Sequence, residues 1–179
     1  MLGADGWRGG NQRGVRVGCV DGGGAAAKNG AGGGVLDETT GLLWEYKGGV
    51  SDINPGAASY TRDQIQGFID TLNAQNAGAG YCGRTDWRVP TSVELQGILD
   101  YNRRTPTLAY APFVNVPGNG NWWALEPSLL FANVYRSVQF GYGNSSEWLQ
   151  TNNLYLLLVS GTPAPATFMD NGDGTVTDT

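Results

Sequence analysis

Alternating apolar and polar residues predict a strand between Leu42 and Lys47. Leu42, Trp44 and Tyr46 share one side of the alternation, which is the period of a half-buried strand. Residues 37–41, with the sequence Asp-Glu-Thr-Thr-Gly, supply the turn chemistry expected just ahead of it. The pattern therefore predicts a turn followed by a strand with one apolar face.

Two amphipathic helices follow, and each begins with the spacing of a capping box. Two pairs have this spacing, Thr61 with Gln64 and Thr91 with Glu94. In each pair, the side chain of one residue can accept the backbone N–H of the other. Apolar residues recur at helical spacing behind each cap. They are Ile65, Phe68, Ile69 and Leu72 in the first helix, and Leu95, Ile98 and Leu99 in the second. The first helix is expected to end directly after its stripe, and the second near Tyr101.

The last third of the chain favours strands. After a long loop over residues 103–120, the pattern predicts strands at 122–125, 136–142 and 154–159. The side chains on these strands that we expect in the core are Trp123, Val138, Phe140 and Leu158. Two helices, a small and mostly antiparallel sheet and long loops together define an α+β fold.

Composition divides the chain into three parts. Residues 1–34 are rich in Gly and Ala and predict an irregular, partly extended arm, whereas residues 35–161 form the folded domain. Residues 160–167 have the composition of a linker. Behind it, residues 174–179 echo residues 33–38, with Val and Asp in register. Residues 162–179 are therefore interpreted as a linker and the start of a second repeat.

Charge and residue usage exclude several functions. The net charge is −5 and histidine is absent. The negative balance argues against nucleic acid or an anionic membrane as a partner. Without histidine, His-based catalysis and nearly all zinc and haem sites are excluded, so no cofactor is expected. No apolar run reaches the ~18 residues of a transmembrane helix, so membrane insertion is not expected.

The cysteines, Cys19 and Cys82, are too far apart in the sequence for a CxxC redox motif or a metal knuckle. Their spacing leaves two interpretations open. Both can be buried free thiols, or they can form one long-range disulfide, which implies an oxidising compartment. Such a bridge would stabilise the fold by roughly 2–4 kcal/mol.

Several segments of the domain carry a recognisable pattern. They are residues 35–45 (VLDETTGLLWE), 72–74 (LNA), 81–91 (YCGRTDWRVPT), 94–95 (EL) and 98–101 (ILDY). The most specific is Asp-Trp-Arg-x-Pro-Thr just before a capped helix. Together they resemble the Lcl C-terminal domain family, a C-type-lectin-like group found on bacterial surface proteins and in phage. The resemblance implies a C-type-lectin-like fold, a Cys19–Cys82 disulfide and an extracellular location on a cell surface or virion.

The resemblance weakens from Asn121 onward. Relatives usually carry an aromatic-Trp-Ser-Ser-Ser-Pro run where this chain has WWALEP at residues 122–127. The framework positions of the family persist at Trp123, Pro127, Val138, Phe140, Gly143, Tyr155, Leu158 and Val159. Some members of this fold are targets of diversity-generating retroelements, which rewrite adenines in one stretch of the gene. The resemblance thus implies a fixed framework whose intervening positions are diversified.

The candidate binding residues lie in the same stretch. It is rich in aromatic residues and poor in charge, which is typical of binding surfaces. The residues expected to be exposed and to bind a ligand are Trp122, Leu125, Glu126, Leu129, Leu130, Phe131, Tyr135, Arg136, Ser137, Gln139, Tyr142, Glu147, Trp148 and Leu149. An exposed apolar run at residues 129–131 favours a protein ligand over a glycan.

These observations favour a ligand-binding module of the receptor or adhesin type. The alternative is a structural or assembly domain of a surface filament or virion, with self-association or contact to a tandem neighbour. An enzyme is not expected, although a glycosidase with Glu126 and Glu147 as its carboxylates stays open. Calcium-dependent sugar binding is not expected either. Ser128 cannot supply the third carboxylate or amide oxygen that the Glu-Pro-Asn triplets of sugar-binding lectins provide.

Overall fold

The computed structural model describes residues 15–17, 19, 33–47, 54–56, 58–102, 113, 115–162, 168–173 and 175–178. The helices are α1, Arg62–Gly78, and α2, Ser92–Gly97. The strands are β1, Val15–Val17; β2, Gly34–Asp37; β3, Leu43–Glu45; β4, Ser59–Tyr60; β5, Asn121–Pro127; β6, Val134–Gln139; β7, Ser145–Leu149; β8, Leu154–Tyr155; β9, Val159–Ser160; β10, Phe168–Asp170; and β11, Val176–Asp178. The predicted α+β class is confirmed. Most of the predicted arm and of the predicted loop at 103–120 lies outside the described residues.

The strands form three sheets, not the one small sheet that the sequence predicts. Their orders are β1-β2-β3-β9, β4-β8-β5-β6-β7 and β10-β11. The described pairs are antiparallel except β5 with β8, which run parallel. The predicted strand at 154–159 is two strands, because β8 belongs to one sheet and β9 to another. The five-stranded sheet carries the candidate binding stretch on β5, β6 and β7.

Both helices begin where the capping boxes predict. In α2 the Thr91 Oγ1 accepts the Glu94 N–H at 3.1 Å, and Glu94 Oε2 accepts the Thr91 N–H at 2.7 Å. The backbone of α1 leaves helical geometry from Gln75, soon after its predicted end. The predicted end of α2 near Tyr101 is wrong. This helix stops at Gly97, and Ile98 and Leu99 enter the core after a single turn in which the Leu99 N–H donates to the Gln96 carbonyl at 3.2 Å.

Strand β3 is buried on both sides, so its prediction as a half-buried strand is wrong. Leu43, Trp44 and Glu45 are each less than 5% exposed. The reason is its position between β2 and β9, with one apolar cluster on each face of the sheet. Trp44 belongs to the cluster that includes α2, and Leu43 to the cluster that includes α1. The four predicted core residues, Trp123, Val138, Phe140 and Leu158, are fully buried.

Cys19 and Cys82 form a disulfide, with their Cα atoms 4.7 Å apart. The bridge that the resemblance implies is therefore confirmed, and the alternative of two free thiols is wrong. The bond attaches the segment after β1 to the turn that precedes the Asp-Trp-Arg motif. Because such bonds persist in oxidising compartments, it indicates an environment outside the cytosol.

The Asp-Trp-Arg-x-Pro-Thr segment ties α2 to strand β9. Arg88 exchanges two backbone hydrogen bonds with Val159, and its guanidinium makes a bidentate pair with Glu94 at 2.7 and 2.9 Å. Burial opposes ionisation of Glu94, but the hydrogen bonds from Arg88 and Thr91 outweigh it and hold the pKa of Glu94 below its usual value. This motif is therefore part of the scaffold.

Strands β10 and β11 pair as β1 and β2 do. Val176 and Asp178 in β11 correspond to Val35 and Asp37 in the sequence echo. Asp37 faces the first residue of β1, and Asp178 faces the first residue of β10. The two hairpins thus share a register. The second repeat itself stays a prediction.

Candidate ligand-binding face

Large apolar side chains are exposed around the loop that joins β5 to β6. Leu129 and Leu130 are 89% and 81% exposed, and Phe131 is 62% exposed. Leu125 in β5 and Leu149 at the end of β7 are also exposed. We call these five residues the apolar face. Exposed apolar clusters of this kind are typical of interaction sites.

Hydrogen bonds fix the backbone of the loop beneath the apolar face. The Ser128 Oγ accepts the N–H groups of Leu130 and Phe131, each at 3.2 Å, and lies 2.9 Å from Glu147 Oε2, to which it donates. The Ser128 N–H donates to the Val134 carbonyl at 2.8 Å. A serine turn therefore closes the loop. Because the backbone is ordered in advance, binding loses less conformational entropy.

The strand register places the end of β7 beside the same loop. Leu149 faces Val134, the first residue of β6. The Gln150 N–H donates to the Asn133 carbonyl at 2.8 Å, and Asn133 has a φ of 59°, a left-handed conformation that asparagine tolerates. These contacts bring Leu149 next to the loop residues of the apolar face.

An irregularity in β5 accompanies the exposure of Leu125. The register of β5 against β6 shifts ahead of Pro127. The Arg62 guanidinium donates to the carbonyls of Ala124 and Leu125, each at 3.1 Å, and lies 4.5 Å from the centre of the Tyr135 ring. Burial lowers the pKa of Arg62 from its usual value. Arg62 thus satisfies the carbonyls of the irregular segment, and Leu125 points outward.

A polar pocket of about 190 Å³ lies beside β7. We call it the amide pocket, and its lining is Ser59, Asn121, Trp148, Asn152, Asn153, Leu154 and Tyr155. Trp148 Nε1 donates to Ser146 Oγ at 3.0 Å, and that hydroxyl donates to Asn121 Oδ1 at 3.2 Å. An indole ring is therefore held next to several side-chain amides.

The predicted exposure of Trp122 and Ser137 is wrong, since both are 0% exposed. Alternation along β5 predicts an exposed Trp122 only where one face of the sheet is open to solvent. Instead the Trp122 ring stacks on Phe140 with centroids 4.8 Å apart, and contacts Tyr155 at 5.1 Å. Ser137 lies between Trp123 and Ser146 in the sheet register. Both residues belong to the scaffold.

Four other predicted residues are half-buried, and three of them have internal partners. The Glu126 carboxylate accepts the Ser92 N–H and hydroxyl at 3.0 Å, at the start of α2. Gln139 Oε1 accepts the Tyr142 N–H at 2.7 Å. Tyr135 packs edge-on against a tryptophan and under the Arg62 guanidinium. The fourth is Arg136, whose strand neighbour is Glu147. Their role in binding a ligand stays a prediction.

The remaining predicted residues are exposed, as the sequence predicts. They are Leu125, Leu129, Leu130, Phe131, Tyr142, Glu147, Trp148 and Leu149. Whether they contact a ligand also stays a prediction.

Sequence reasoning missed several surface residues. Val93 is 73% exposed on α2, one residue after Ser92, and Tyr101 is also exposed. Val93 falls outside the apolar stripe of α2, and this position in the sequence is the signal that indicates its exposure. Asn152 and Asn153 line the amide pocket, but nothing in their local sequence distinguishes them from turn residues.

The described part of the chain offers neither a metal cluster nor a membrane span. No group of three His, Cys, Asp or Glu residues in the described ranges is placed to hold a metal ion. Within those ranges, neither helix has the length and apolarity that crossing a bilayer requires.

The fold and the face together define an extracytosolic α+β domain, closed by a disulfide, with an exposed apolar loop on a five-stranded sheet. Residues 33–160 match the model of the Lcl C-terminal domain family, so the chain belongs to this family. The match covers most of the chain and confirms the resemblance. The search of curated proteins found no match to the chain.

Proposed function

We propose that the chain is a receptor- or adhesin-type binding module that contacts a protein ligand through the apolar face. The observation that carries this proposal is the exposure of Leu129, Leu130 and Phe131 on a loop fixed by Ser128. Holding three such side chains in water is unfavourable, and burying them against a partner recovers roughly 1.5–3 kcal/mol for each. A protein surface offers the apolar area that this requires, whereas a sugar offers mainly hydroxyl groups.

The scaffold under the face is proposed to be C-type-lectin-like, displayed on a cell surface or virion. Membership of the Lcl C-terminal domain family supports this proposal, and so does the combination of two helices with mostly antiparallel sheets among the described residues. The disulfide supports an exported location.

The face is further proposed to be a variable part on a constant framework. Six of the eight framework positions, Trp123, Val138, Phe140, Gly143, Leu158 and Val159, are buried. The positions at which the sequence departs from the family pattern include the exposed Leu125. At the neighbouring positions that also depart from the pattern, Glu126 is half-buried and Ala124 is buried, so it is the burial of the framework that supports a constant scaffold under a variable surface.

A second candidate function, glycan binding, rests on the amide pocket. Trp148 presents an aromatic ring beside the amides of Asn121, Asn152 and Asn153. Sugars stack on such rings through their C–H groups and bond amides through their hydroxyls. The pocket and the apolar face share no residue, although Trp148 and Leu149 are neighbours in β7, so substitutions separate the two functions.

The proposed function is tested by selecting a phage-displayed random peptide library on the immobilised disulfide-bonded chain. We expect enrichment of peptides rich in aromatic and aliphatic residues, because their side chains match the apolar face. The same selection on an L130S/F131S variant should not enrich them. A matched Q66S/D70S variant, which changes exposed residues on α1, should behave like the wild-type chain.

A glycan array probed in parallel separates the candidates. Glycan binding that is lost on Trp148→Ala and kept in L130S/F131S would favour the amide pocket over the apolar face. Equal peptide enrichment on the wild-type chain and L130S/F131S would refute the protein-ligand proposal. Concentration-dependent dimers in sedimentation, lost in L130S/F131S, would assign the face to self-assembly instead.

A further inference from the structure

A buried cluster of Glu45, Lys47 and Asn54 is not used by the proposed binding function. The three residues are 4%, 1% and 1% exposed. Glu45 Oε2 lies 3.0 Å from Lys47 Nζ, 3.0 Å from Asn54 Nδ2 and 3.1 Å from the Leu158 backbone nitrogen. One carboxylate oxygen therefore contacts both an amine and a side-chain amide in a region without solvent.

Burial favours a neutral form of this cluster. A carboxylate and an ammonium that leave water lose much of their solvation, and their mutual attraction repays only part of it. Burial accordingly raises the pKa of Glu45, although Lys47 opposes the shift. Transfer of a proton from Lys47 to Glu45 gives an uncharged amine and an uncharged acid, and an uncharged amine is a nucleophile.

The geometry places that amine at Asn54. Lys47 Nζ lies 3.0 Å from the Asn54 backbone carbonyl oxygen, to which it donates. Asn54 Oδ1 is buried without a hydrogen-bond partner among the described residues. The Asn54 side-chain amide is thus held beside the amine by Glu45, and in the described part of the chain its carbonyl oxygen accepts no competing bond.

The backbone on both sides of the cluster is also held. The Asn115 Nδ2 donates to the Lys47 carbonyl at 2.9 Å. Gly56 approaches Asn115 so closely that a Cβ at this position would lie 1.7 Å from the Asn115 carbonyl oxygen. These contacts keep the two ends of the segment from Lys47 to Asn54 together.

We propose that Lys47 and Asn54 condense to an intramolecular amide, with Glu45 as the proton carrier. Lys47 Nζ, after giving one proton to Glu45, forms a bond to the Asn54 Cγ. The Cγ–Nδ2 bond breaks, and Nδ2 takes the proton that the attacking nitrogen loses and leaves as ammonia. Ammonia then accepts the proton held by Glu45 and departs as ammonium, so Glu45 returns to its carboxylate form.

Asn54 is suited to this step because Pro55 follows it. The common loss of ammonia from asparagine needs attack by the next backbone N–H, and proline has none. A loss of ammonia at Asn54 therefore reports attack by another nucleophile, and Lys47 is the amine in contact with this residue.

Mass spectrometry of the intact, reduced chain and of its tryptic peptides tests the proposal. The bond removes one ammonia, so we expect a mass about 17 Da below that of the sequence. Trypsin does not cut after an acylated lysine, so residues 29–62 should appear as one peptide with the same deficit. The full mass together with cleavage after Lys47 in the denatured chain would overturn the proposal.

Two variants identify the roles of the residues. Lys47→Met keeps an unbranched apolar stem and should show the full mass. Glu45→Gln keeps the size of the side chain but cannot take up the proton from Lys47, so we expect the full mass and normal cleavage after Lys47. Circular dichroism and the urea midpoint show whether each variant folds. A folded Glu45→Gln variant that still lacks one ammonia within residues 29–62 and still resists cleavage after Lys47 would overturn the assignment of Glu45 as the proton carrier.

Discussion

Replacing Arg88 by Met should lower the free energy of unfolding by about 4 kcal/mol. Arg88 is 27% exposed and Glu94 is 7% exposed, so the substitution leaves a nearly buried carboxylate without its cation. The guanidinium also donates to the Gly161 carbonyl, with Nη2 at 2.8 Å. One side chain therefore connects α2 to the end of β9, and methionine preserves only its apolar stem.

Urea denaturation of the wild-type chain and the variant measures this effect. Arg84→Met, at an exposed position in the preceding turn, is the matched control and should change stability by less than about 0.5 kcal/mol.

The pKa of Glu94 is held below its usual value in the folded chain, so the pair contributes at neutral pH and its contribution falls as Glu94 is protonated. The difference between wild type and Arg88→Met should therefore shrink on acidification. A difference that is small at neutral pH would contradict the scaffold role.

The L130S/F131S variant should bind the selected peptides about 100-fold more weakly than the wild-type chain. Both side chains project from a loop whose backbone bonds involve Ser128 and not the side chains themselves. The loss of apolar contact area therefore acts on the complex and not on the fold. We expect an unchanged urea midpoint, because neither residue belongs to an apolar cluster of the core.

Isothermal titration with one selected peptide measures the affinity, and Q66S/D70S is again the control. An affinity of L130S/F131S within threefold of wild type would show that the peptides bind elsewhere. A shifted urea midpoint would show that Leu130 and Phe131 support the fold, which would contradict the assignment of these residues to a binding surface.

The helix starts and the main core residues could be predicted from the sequence because their signals are local. A capping box needs only two residues at a fixed spacing, and both boxes form. Trp123 and Val138 lie on strands whose alternation already marks them as apolar positions. The exposure of Leu129 could be predicted because three apolar residues follow a proline and a serine, outside any periodic segment.

The remaining features depend on contacts between distant segments. Trp122 is buried because the five-stranded sheet is covered on both faces, and local alternation does not report how many layers cover a sheet. Strand β7 has the sequence Ser-Ser-Glu-Trp-Leu and little apolar alternation, so it forms through pairing with β6. The burial of Glu45 needs Leu158 beside it, and Leu158 lies 113 residues further along the sequence.

The proposed function has a constant framework that carries a changeable binding face. Deep sequencing of the 3′ part of this gene in its source population tests that claim most directly. We expect substitutions at exposed positions whose codons derive from adenines in a template copy, including Leu125, Leu129 and Trp148, and none at the buried Trp122 and Val138. Substitutions that fall equally on buried and exposed positions, or a stretch identical in every copy, would contradict it.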